Sequence, residues 1–463
     1  MNQLFSPSDI VRSKLCIGCG SCVGMHGGTN TEMLFTKFGE LHPEGDPEWY
    51  QKPTQIFTQT CPFSPSAKKE DELAANLFPG TTKKDNSIGL FEAAYAGYVV
   101  ENDFRSQGSS GGMVSWVATT LLRQGLVDGV AHVVSTTDPQ TEGRFFKYQL
   151  SYSEAAVKQG AKSRYYPVEM SEIISHIREV PGRYAIIGIP CFIKAIQLLR
   201  EQDPVLKERI CFTLGLFCGH MKSARFVESF AWQMKVPFEK IRAVDFRYKD
   251  PDRPANWYNA MLTLQDGKTI KKDWWHLADG DWGAGFFMNN ACNFCDDVMA
   301  ETADISFGDA WIEPYASDGK GTNVIVVRSP ELHTILQDAA ISGKLHLDCI
   351  TAASLVQTQA AGLRQRREGL AYRLEWATSG IRPIKRVAPG YIIKKERKII
   401  YRLRYYISKW SHRVFWFAKR LRQPKIYLGW ASMAAAIYHG LAYHKGKTGE
   451  IVKRFSQLLS SSK

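Results

Sequence analysis

The chain has 463 residues, more than one ordinary hydrophobic core accommodates, and its 44% hydrophobic and 23% charged residues are typical of a soluble globular protein. Its net charge of +13 is uneven, because residues 384–463 hold 19 of the 59 Lys and Arg but only two of the 46 Asp and Glu. The N-terminal segment has no apolar stretch that would direct secretion. We therefore expect a cytoplasmic protein whose ten cysteines are metal ligands or buried thiols rather than disulfides.

The first motif is "CIGCGSCVGMHGG" at residues 16–28, followed later by the Cys-Pro pair in "TQTCPFSP". A C-x2-C-x2-C run with a later Cys-Pro is how ferredoxin-type chains hold a [4Fe–4S] cluster, whereas zinc usually takes two separated pairs. We predict a cluster at this site, with a zinc knuckle or unligated thiols as alternatives. The four predicted ligands are Cys16, Cys19, Cys22 and Cys61.

A Gly/Ser loop in "RSQGSSGGMVSWVATTLLRQGLVDGVAHVVS" leads into a predicted helix that stops near Gly125, with a strand by Val130. The free N–H groups of such a helix start suit a flavin or nucleotide phosphate. A plain helix N-cap is the alternative, since "GSSGG" matches neither the dinucleotide fingerprint nor the P-loop.

The second cysteine set is placed by a predicted βαβ unit. "RYAIIGIPC" predicts a strand ending at Cys191, "FIKAIQLLREQ" a crossover helix, and "ERICFTLGLFCGH" a strand ending at Cys218. Parallel strands bring both thiols to the carboxyl edge of the sheet, where open α/β sheets bind ligands. "CNFC" adds Cys292 and Cys295, so we predict a second cluster, with zinc as the alternative. We expect Cys211 and Cys349 to be ordinary buried thiols.

The tail segment "YRLRYYISKWSHRVFWFAKRLRQ" predicts a basic amphipathic helix lying on an anionic bilayer. Nucleic-acid binding is disfavoured because no recognisable motif accompanies the charge. Residues 426–443 lack Lys, Arg, Asp and Glu, which leaves a membrane span, a surface-lying or docked helix, and a solvent-exposed or partner-binding helix as alternatives. The apolar positions of the amphipathic helix step by three and four and are Ile407, Trp410, Val414, Phe417 and Leu421.

Over roughly residues 10–345 the sequence resembles the beta subunits of coenzyme F420 hydrogenases and dehydrogenases, F420 being a deazaflavin hydride carrier, and is similar to 7-hydroxymethyl chlorophyll reductases. The resemblance rests on the N-terminal cysteine motif, "SSGG", "QGAKSRYYP", "GIPC", "LFCGH" and above all "CNFCDDVMAETADISFGDAW". It implies an oxidoreductase with FAD and two [4Fe–4S] clusters. Both predicted cysteine sets match cluster ligands of such proteins. The residues that match segments lying along FAD are Ser110, Gly111, Gly112, Lys162, Ser163 and Tyr165.

The predicted fold is α/β, with α+β character in parts. We divide the chain into a small ferredoxin-like iron–sulfur domain (1–85), a larger α/β domain that binds FAD and a cluster (90–345), a connecting helical segment (346–383) and a basic helical tail (384–463). Asp304 and Asp309 flank a short strand after the CxxC pair and are candidate catalytic residues that orient a flavin ring or accept a proton. Turn and strand-end carboxylates are the alternative.

A flavin is the required converter between one-electron clusters and a two-electron hydride carrier. The leading interpretation is therefore a cytoplasmic, peripherally membrane-attached oxidoreductase that exchanges electrons with ferredoxin or another electron-transfer protein and a hydride with a small molecule, coenzyme F420 being a candidate. The absence of a visible dinucleotide fingerprint disfavours NAD(P)H. An electron-relay subunit without a substrate of its own, and a zinc-stabilised scaffold whose tail binds an acidic partner, are the alternatives.

Overall fold

Most strands carry the β-branched and aromatic residues that suit a pleated surface. The computed structural model describes residues 3–28, 30–376, 380–446 and 449–450; residues 1–2, 29, 377–379, 447–448 and 451–463, which belong to three of the predicted segments, lie outside that description. The strands are β1 Thr31–Phe35, β2 Leu41–Gly45, β3 Lys84–Asp85, β4 Gly89–Leu90, β5 Ala93–Val99, β6 Gly129–Ser135, β7 Phe146–Ser151, β8 Tyr184–Gly188, β9 Ile210–Leu216, β10 Ile241–Tyr248, β11 Asn259–Leu264, β12 Thr269–Asp273, β13 Ile305–Asp309, β14 Asn323–Val327 and β15 Leu345–Cys349.

Helices precede, connect and follow the strands along the described chain. Ser, Thr and Asp caps start several of them, as at Ser6, Thr54 and Asp203. The helices are α1 Pro7–Arg12, α2 Ser21–His26, α3 Pro47–Gln51, α4 Gln55–Thr60, α5 Glu70–Leu77, α6 Phe104–Gln107, α7 Met113–Arg123, α8 Glu154–Gln159, α9 Ser171–Glu179, α10 Pro190–Gln202, α11 Pro204–Arg209, α12 Arg225–Met234, α13 Pro330–Ile341, α14 Ala352–Thr358, α15 Ala360–Arg366, α16 Glu368–Trp376, α17 Lys395–Arg420 and α18 Pro424–Tyr443.

The largest sheet of the described chain has eight strands in the order β15-β5-β14-β13-β9-β8-β6-β7. β8, α10 and β9 form the predicted βαβ unit, since β8 and β9 pair in parallel with Ile187 opposite Leu214. β6 and β13 extend this parallel group, and β14 runs antiparallel between β13 and β5. The ends of β5, β8, β9 and β13 therefore lie on one side of the sheet, which we call the carboxyl edge. The predicted α/β class is confirmed.

The N-terminal segment packs into the same hydrophobic core as the body of the protein. Ile10 and Phe57 of the N-terminal segment belong to one buried cluster with Ile174 and Phe192 of the body and Leu370 of the connecting segment. The backbone N–H of Met170 also donates to the Cys19 carbonyl oxygen at 2.9 Å. The segment predicted as a small iron–sulfur domain is thus joined to the larger unit by a continuous core.

The tail is also part of this fold. Ile407 and Phe415 of α17 and Tyr427 of α18 are fully or almost fully buried against the body. The Tyr427 hydroxyl donates to Asp279 Oδ2 at 2.9 Å. Residues 426–443 form a helix that is docked by its Tyr and Ala side chains, and within the described residues no helix is both long and apolar enough to cross a membrane.

Two expectations about exposure are wrong. The apolar face predicted for α17 is not exposed throughout, because Ile407 is buried against the body while Trp410, Phe417 and Leu421 are 47%, 50% and 48% exposed. Ile407 lies where this face meets the buried side of the helix, a boundary that periodicity alone does not show. Cys349 is exposed rather than buried, because it ends β15 at the edge of the sheet.

Candidate iron–sulfur and flavin sites

The first cysteine set lies where two short helices of the N-terminal segment meet. Two of its members precede α2, one is in the first turn of α2 and one directly follows α4. Gly18 and Gly20 have φ of 76° and 77°, a left-handed conformation that turns the chain between the thiols. At Gly18 a Cβ atom would lie 2.6 Å from the Leu41 carbonyl oxygen, so the turn also needs the missing side chain. The set is Cys16, Cys19, Cys22 and Cys61.

These four thiols influence one another electrostatically. Burial raises the pKa of Cys22, and the neighbouring thiols of Cys19, Cys16 and Cys61 raise it further. Burial likewise raises the pKa of Cys61 to about 12, while backbone N–H groups of Phe63 and Ser64 oppose the rise. Buried thiols with N–H donors directed at their sulfurs fit a group that binds thiolates and carries hydrogen-bonded sulfur.

The second set comes from three separate segments, as predicted. Cys191 lies in the first turn of α10 after β8, Cys218 follows β9, and Cys292 and Cys295 lie in and after a 3-10 helix, Asn290–Phe294. Burial raises the pKa of Cys191, and the thiols of the other three members raise it further. The Met221 N–H donates to Cys292 Sγ at 3.3 Å. The structure therefore brings together all four predicted ligands at the carboxyl edge.

Arg366, in the segment predicted only as a connecting helix, is buried beside this second set. Its guanidinium donates to the carbonyl oxygens of Cys292 at 2.7 Å and Gly219 at 2.6 Å. Burial opposes the charge, yet the four thiols raise the pKa of Arg366 above its usual range. A buried cation aimed at backbone carbonyls around four thiols fits a site that carries negative charge.

The two cysteine sets are close neighbours. Burial and the other thiols of the second set raise the pKa of Cys191, and the Cys19 thiol of the first set raises it further. Cys19, Cys292 and Cys295 belong to one buried cluster of side chains. Within the described chain, no three or more His, Cys, Asp or Glu side chains are arranged to hold a metal ion. The fit to iron–sulfur clusters therefore rests on burial, mutual electrostatic influence and the surrounding donors.

The Gly/Ser loop lies at the same carboxyl edge, beside the ends of β5 and β13. Ser110 donates to the Thr322 carbonyl oxygen at 2.9 Å, and a Cβ at Gly111 would lie 2.7 Å from the Gly97 carbonyl oxygen. Gly112 has φ of 82° and precedes α7, whose first N–H donates to Asn323 Oδ1 at 3.2 Å. Close packing against the sheet thus explains why this loop needs glycine.

Lys249 also holds the Gly/Ser loop in place. Its ammonium donates to the carbonyl oxygens of Arg105 and Ser110 at 2.6 Å and of Lys320 at 2.7 Å. Burial lowers the pKa of Lys249 to about 7, and the charges of Lys162, Arg247 and Arg105 lower it further. A cationic cluster with a destabilised ammonium fits the phosphates of a dinucleotide.

The second predicted flavin segment meets the first. The Ser163 N–H donates to Ser109 Oγ at 2.8 Å, which ties the loop around Lys162 to the Gly/Ser loop. Lys162 pairs with Asp245 at 3.3 Å. Tyr165 is half-buried, and its ring centroid lies 4.6 Å from that of Trp282. All six residues predicted to lie along FAD therefore belong to one region.

The two candidate carboxylates lie at opposite ends of β13. Asp309 is at the carboxyl edge, where Arg247 donates to both of its oxygens at 2.8 and 3.0 Å. Asp304 is at the other end, where it accepts from the backbone N–H and hydroxyl of Thr213 at 2.7 Å each. This geometry gives Asp304 the role of a brace between β13 and β9, away from the flavin segments.

The sequence patterns missed Arg247, Lys249, Trp282 and Arg366. Arg247 is the last residue but one of β10 and Lys249 directly follows that strand, and such a basic pair at a strand end is a sequence signal for an anion site. Arg366 and Trp282 had no comparable signal, because both act through contacts with residues far away in the chain.

A sheet with parallel central strands, two cysteine sets and a cationic loop at its carboxyl edge defines a cysteine-rich α/β protein that binds ligands at that edge. The chain belongs to the family of coenzyme F420 hydrogenase/dehydrogenase beta subunits, whose N-terminal model matches residues 94–175 and whose C-terminal model matches residues 182–353. The predicted family is thereby confirmed.

Two known proteins illustrate the likeness. One subunit of the F(420)H(2) dehydrogenase of Methanosarcina mazei is 20% identical over 315 residues, which cover 65% of this chain and 77% of that protein. A chain from a xenon-derivatised F420-reducing [NiFe] hydrogenase complex of Methanosarcina barkeri has a TM-score of 0.50 at 14% identity, covering 65% of this chain and 99% of that one. The second likeness supports the fold.

Proposed function

We propose that this protein is an iron–sulfur flavoprotein oxidoreductase that passes electrons between a one-electron carrier and a two-electron hydride acceptor. The observation that carries the proposal is the closeness of the two cysteine sets: Cys19 of the first set lies in one buried cluster of side chains with Cys292 and Cys295 of the second. The segment of the second set also lies near the region predicted for FAD, because Trp282 contacts both His220 and Tyr165. Electron transfer in steps needs such a series of neighbouring sites.

The residues have distinct roles in this proposal. The first set and the second set each bind one [4Fe–4S] cluster, and Arg366 stabilises the negative charge of the second. The Gly/Ser loop, positioned by Lys249, and the loop of Lys162 hold FAD. When bound, these groups supply single-electron and hydride chemistry. Asp309, oriented by Arg247, remains the candidate that positions a flavin ring or accepts a proton.

Coenzyme F420 is the proposed hydride partner, since the names of both relatives refer to F420. Both names also describe a subunit or a complex. Partner subunits, ferredoxin or another electron-transfer protein are therefore the proposed one-electron carriers. The same names favour the second candidate function, a relay subunit that exchanges electrons only with protein partners.

The first test is the cofactor content of anaerobically purified protein. We expect about eight iron and eight sulfide per chain, as two four-iron clusters require, and FAD released on denaturation. Cys292→Ser should lose about half of the iron, whereas Cys349→Ser, at an exposed thiol, should lose none. Stoichiometric zinc without sulfide would exclude electron transfer by either site.

The second test offers oxidised F420 to dithionite-reduced protein and follows the absorbance of flavin and clusters together. Reoxidation of the flavin by F420 supports the proposed activity. Reoxidation by a reconstituted protein partner, but by no small molecule, supports the relay function. Absence of FAD from the purified protein would contradict both.

We also propose that the outer face of α17 attaches the protein to an anionic membrane surface. Trp410, Phe417 and Leu421 are about half exposed, and Arg413 lies over the Trp410 ring at 5.4 Å. Interfacial aromatics with cations suit a headgroup region. Replacing these three apolar residues with Ser should abolish sedimentation with phosphatidylserine vesicles at low salt. Equal sedimentation of both forms would contradict the attachment.

A further inference from the structure

One tryptophan contacts both the predicted flavin segment and the segment that carries Cys218. The Trp282 ring centroid lies 4.6 Å from that of Tyr165. On its other side Trp282 stacks on His220, with centroids 4.4 Å apart and planes inclined by 24°. His220 is two residues after Cys218. The indole therefore spans the gap between Tyr165 and the segment that carries a predicted cluster ligand.

The contact with the cysteine segment is made by the backbone as well as by the imidazole. A Cβ atom on Gly219 would collide with Nε1 of Trp282. Gly219 thus leaves the indole in contact with the peptide that joins Cys218 to His220. This explains a glycine in "LFCGH" that needs no left-handed conformation, since Gly219 is not among the residues with positive φ.

Trp282 is held in place by its neighbours. The Lys222 ammonium lies 4.6 Å from the indole centroid and donates to the Phe286 carbonyl oxygen at 2.6 Å. The adjacent Asp281 accepts from His439 of α18 at 2.6 Å, so the docked tail braces the loop. A cation over the ring and a braced loop restrict the motion of the indole.

Two other aromatic rings also contact Tyr165. Phe246 and Trp274 contact Tyr165 at 5.5 and 5.9 Å, but they belong to the aromatic core around Phe226 and Phe230. Among the ring contacts described for Tyr165, the one with Trp282 leads on to the cysteine segment.

We propose that Trp282 is the side chain through which electrons pass between the second cysteine site and the flavin beside Tyr165, an inference that rests on the proposed function. Each electron leaves one group and arrives at the other, so Trp282 itself undergoes no net oxidation or reduction. The packed indole shortens the gap that an electron crosses between the two groups, and transfer slows steeply as such a gap widens.

The test measures electron transfer within the protein rather than turnover. Wild type, Trp282→Phe and Trp282→Leu are mixed anaerobically with limiting dithionite, and the phase whose rate is independent of dithionite concentration reports exchange between flavin and cluster. We expect this phase to slow by about tenfold or more in Trp282→Leu and by less in Trp282→Phe, which keeps a ring. Trp275→Leu, at a 66% exposed position in the same region, should match wild type.

Iron, sulfide and FAD content and the cluster EPR signal separate this effect from a folding defect. Trp282→Phe retains most of the packing volume and keeps the test valid if Trp282→Leu loses a cofactor. An unchanged rate in both variants with full cofactors overturns the role of Trp282 alone. Absence of FAD or iron from the wild type overturns the proposed function instead.

Discussion

Arg366 is a cation buried among thiols and backbone carbonyls, in a helix that carries no other part of the predicted sites. The groups that compensate its charge are the cysteines of the second set, which are negative only when they are deprotonated to thiolates. Arg366 and the second cysteine set therefore depend on each other. Removing one partner of a buried charge pair typically costs about 3–5 kcal/mol.

We predict that Arg366→Met loses the second cluster and keeps the first, because the remaining thiolates would be buried without a counter-charge. Iron should fall to about half and one cluster EPR signal should disappear. Arg364→Met, two residues away and exposed, is the matched control. Full iron in Arg366→Met would contradict the role assigned to this arginine.

The lowered pKa of Lys249 leads to a prediction about how FAD binding depends on pH. Burial and nearby cations lower its pKa to about 7, so the ammonium is largely deprotonated above that pH in the absence of an anion. A neutral amine has two N–H bonds and releases one of the three carbonyl contacts. An anionic ligand favours the protonated form. FAD affinity should thus be highest below about pH 7 and weaken by up to about tenfold per pH unit above it.

Titration of FAD binding to the flavin-depleted protein by fluorescence quenching between about pH 6 and 9 tests this. Lys249→Met should bind FAD more weakly at every pH, without that slope. Lys268→Met, at a lysine whose side chain is 79% exposed, should follow the wild type. A wild-type affinity for FAD that rises with pH would contradict the predicted direction of the pH dependence.

At the scale of elements, the Gly/Ser loop and α7 are held against the ends of β5 and β14. Gly112 has φ of 82°, and a Cβ there would lie 2.5 Å from the Phe104 carbonyl oxygen. Gly125, after the same helix, has φ of 65° and open space around it. The two glycines share a left-handed conformation and differ in crowding, which makes them a matched pair.

We predict that Gly125→Ala costs about 1 kcal/mol of unfolding free energy, from backbone strain, and leaves FAD content unchanged. Gly112→Ala should cost more and release FAD, because the loop has to move away from α6 and the sheet. Urea unfolding and the flavin-to-protein absorbance ratio measure the two effects. Equal costs with full FAD in both variants would mean that the loop does not bind the flavin.

The βαβ unit and the cysteine spacing were predictable from local patterns, since a buried run such as "YAIIG" and a C-x2-C spacing depend on neighbours in sequence. Residues that act across the fold were not predictable in this way. Arg366 is defined by its contact with Cys292, and the pattern that predicts Asp304 in the site does not show that Asp304 pairs with Thr213. In α17, the period that predicts an apolar face does not show that Ile407, at the edge of that face, is buried against the body.

At the scale of the whole molecule, a network of buried charges joins the N-terminal segment, the body and the tail. Lys194 pairs with Glu70 at 3.2 Å, and Lys385 lies 3.4 Å from Asp296. Arg386 pairs with Glu301 at 2.7 Å. Since Asp296 follows Cys295 directly, the tail also neutralises charge beside the second cysteine set.

We predict that deleting residues 384–463 destabilises the protein and depletes the second cluster, because the carboxylates of Glu70, Asp296 and Glu301 lose buried partners at about 3–5 kcal/mol for each broken pair. Differential scanning calorimetry and iron content check this. The control is the triple replacement of Trp410, Phe417 and Leu421 with Ser, which leaves the network intact and should unfold at the wild-type temperature with full iron. A tail that is only a membrane anchor would give the opposite result, with the deletion as stable and as iron-rich as the intact chain.

Wild type itself should unfold in one transition, because its segments share a core, and a separate early transition of the N-terminal segment would contradict that coupling.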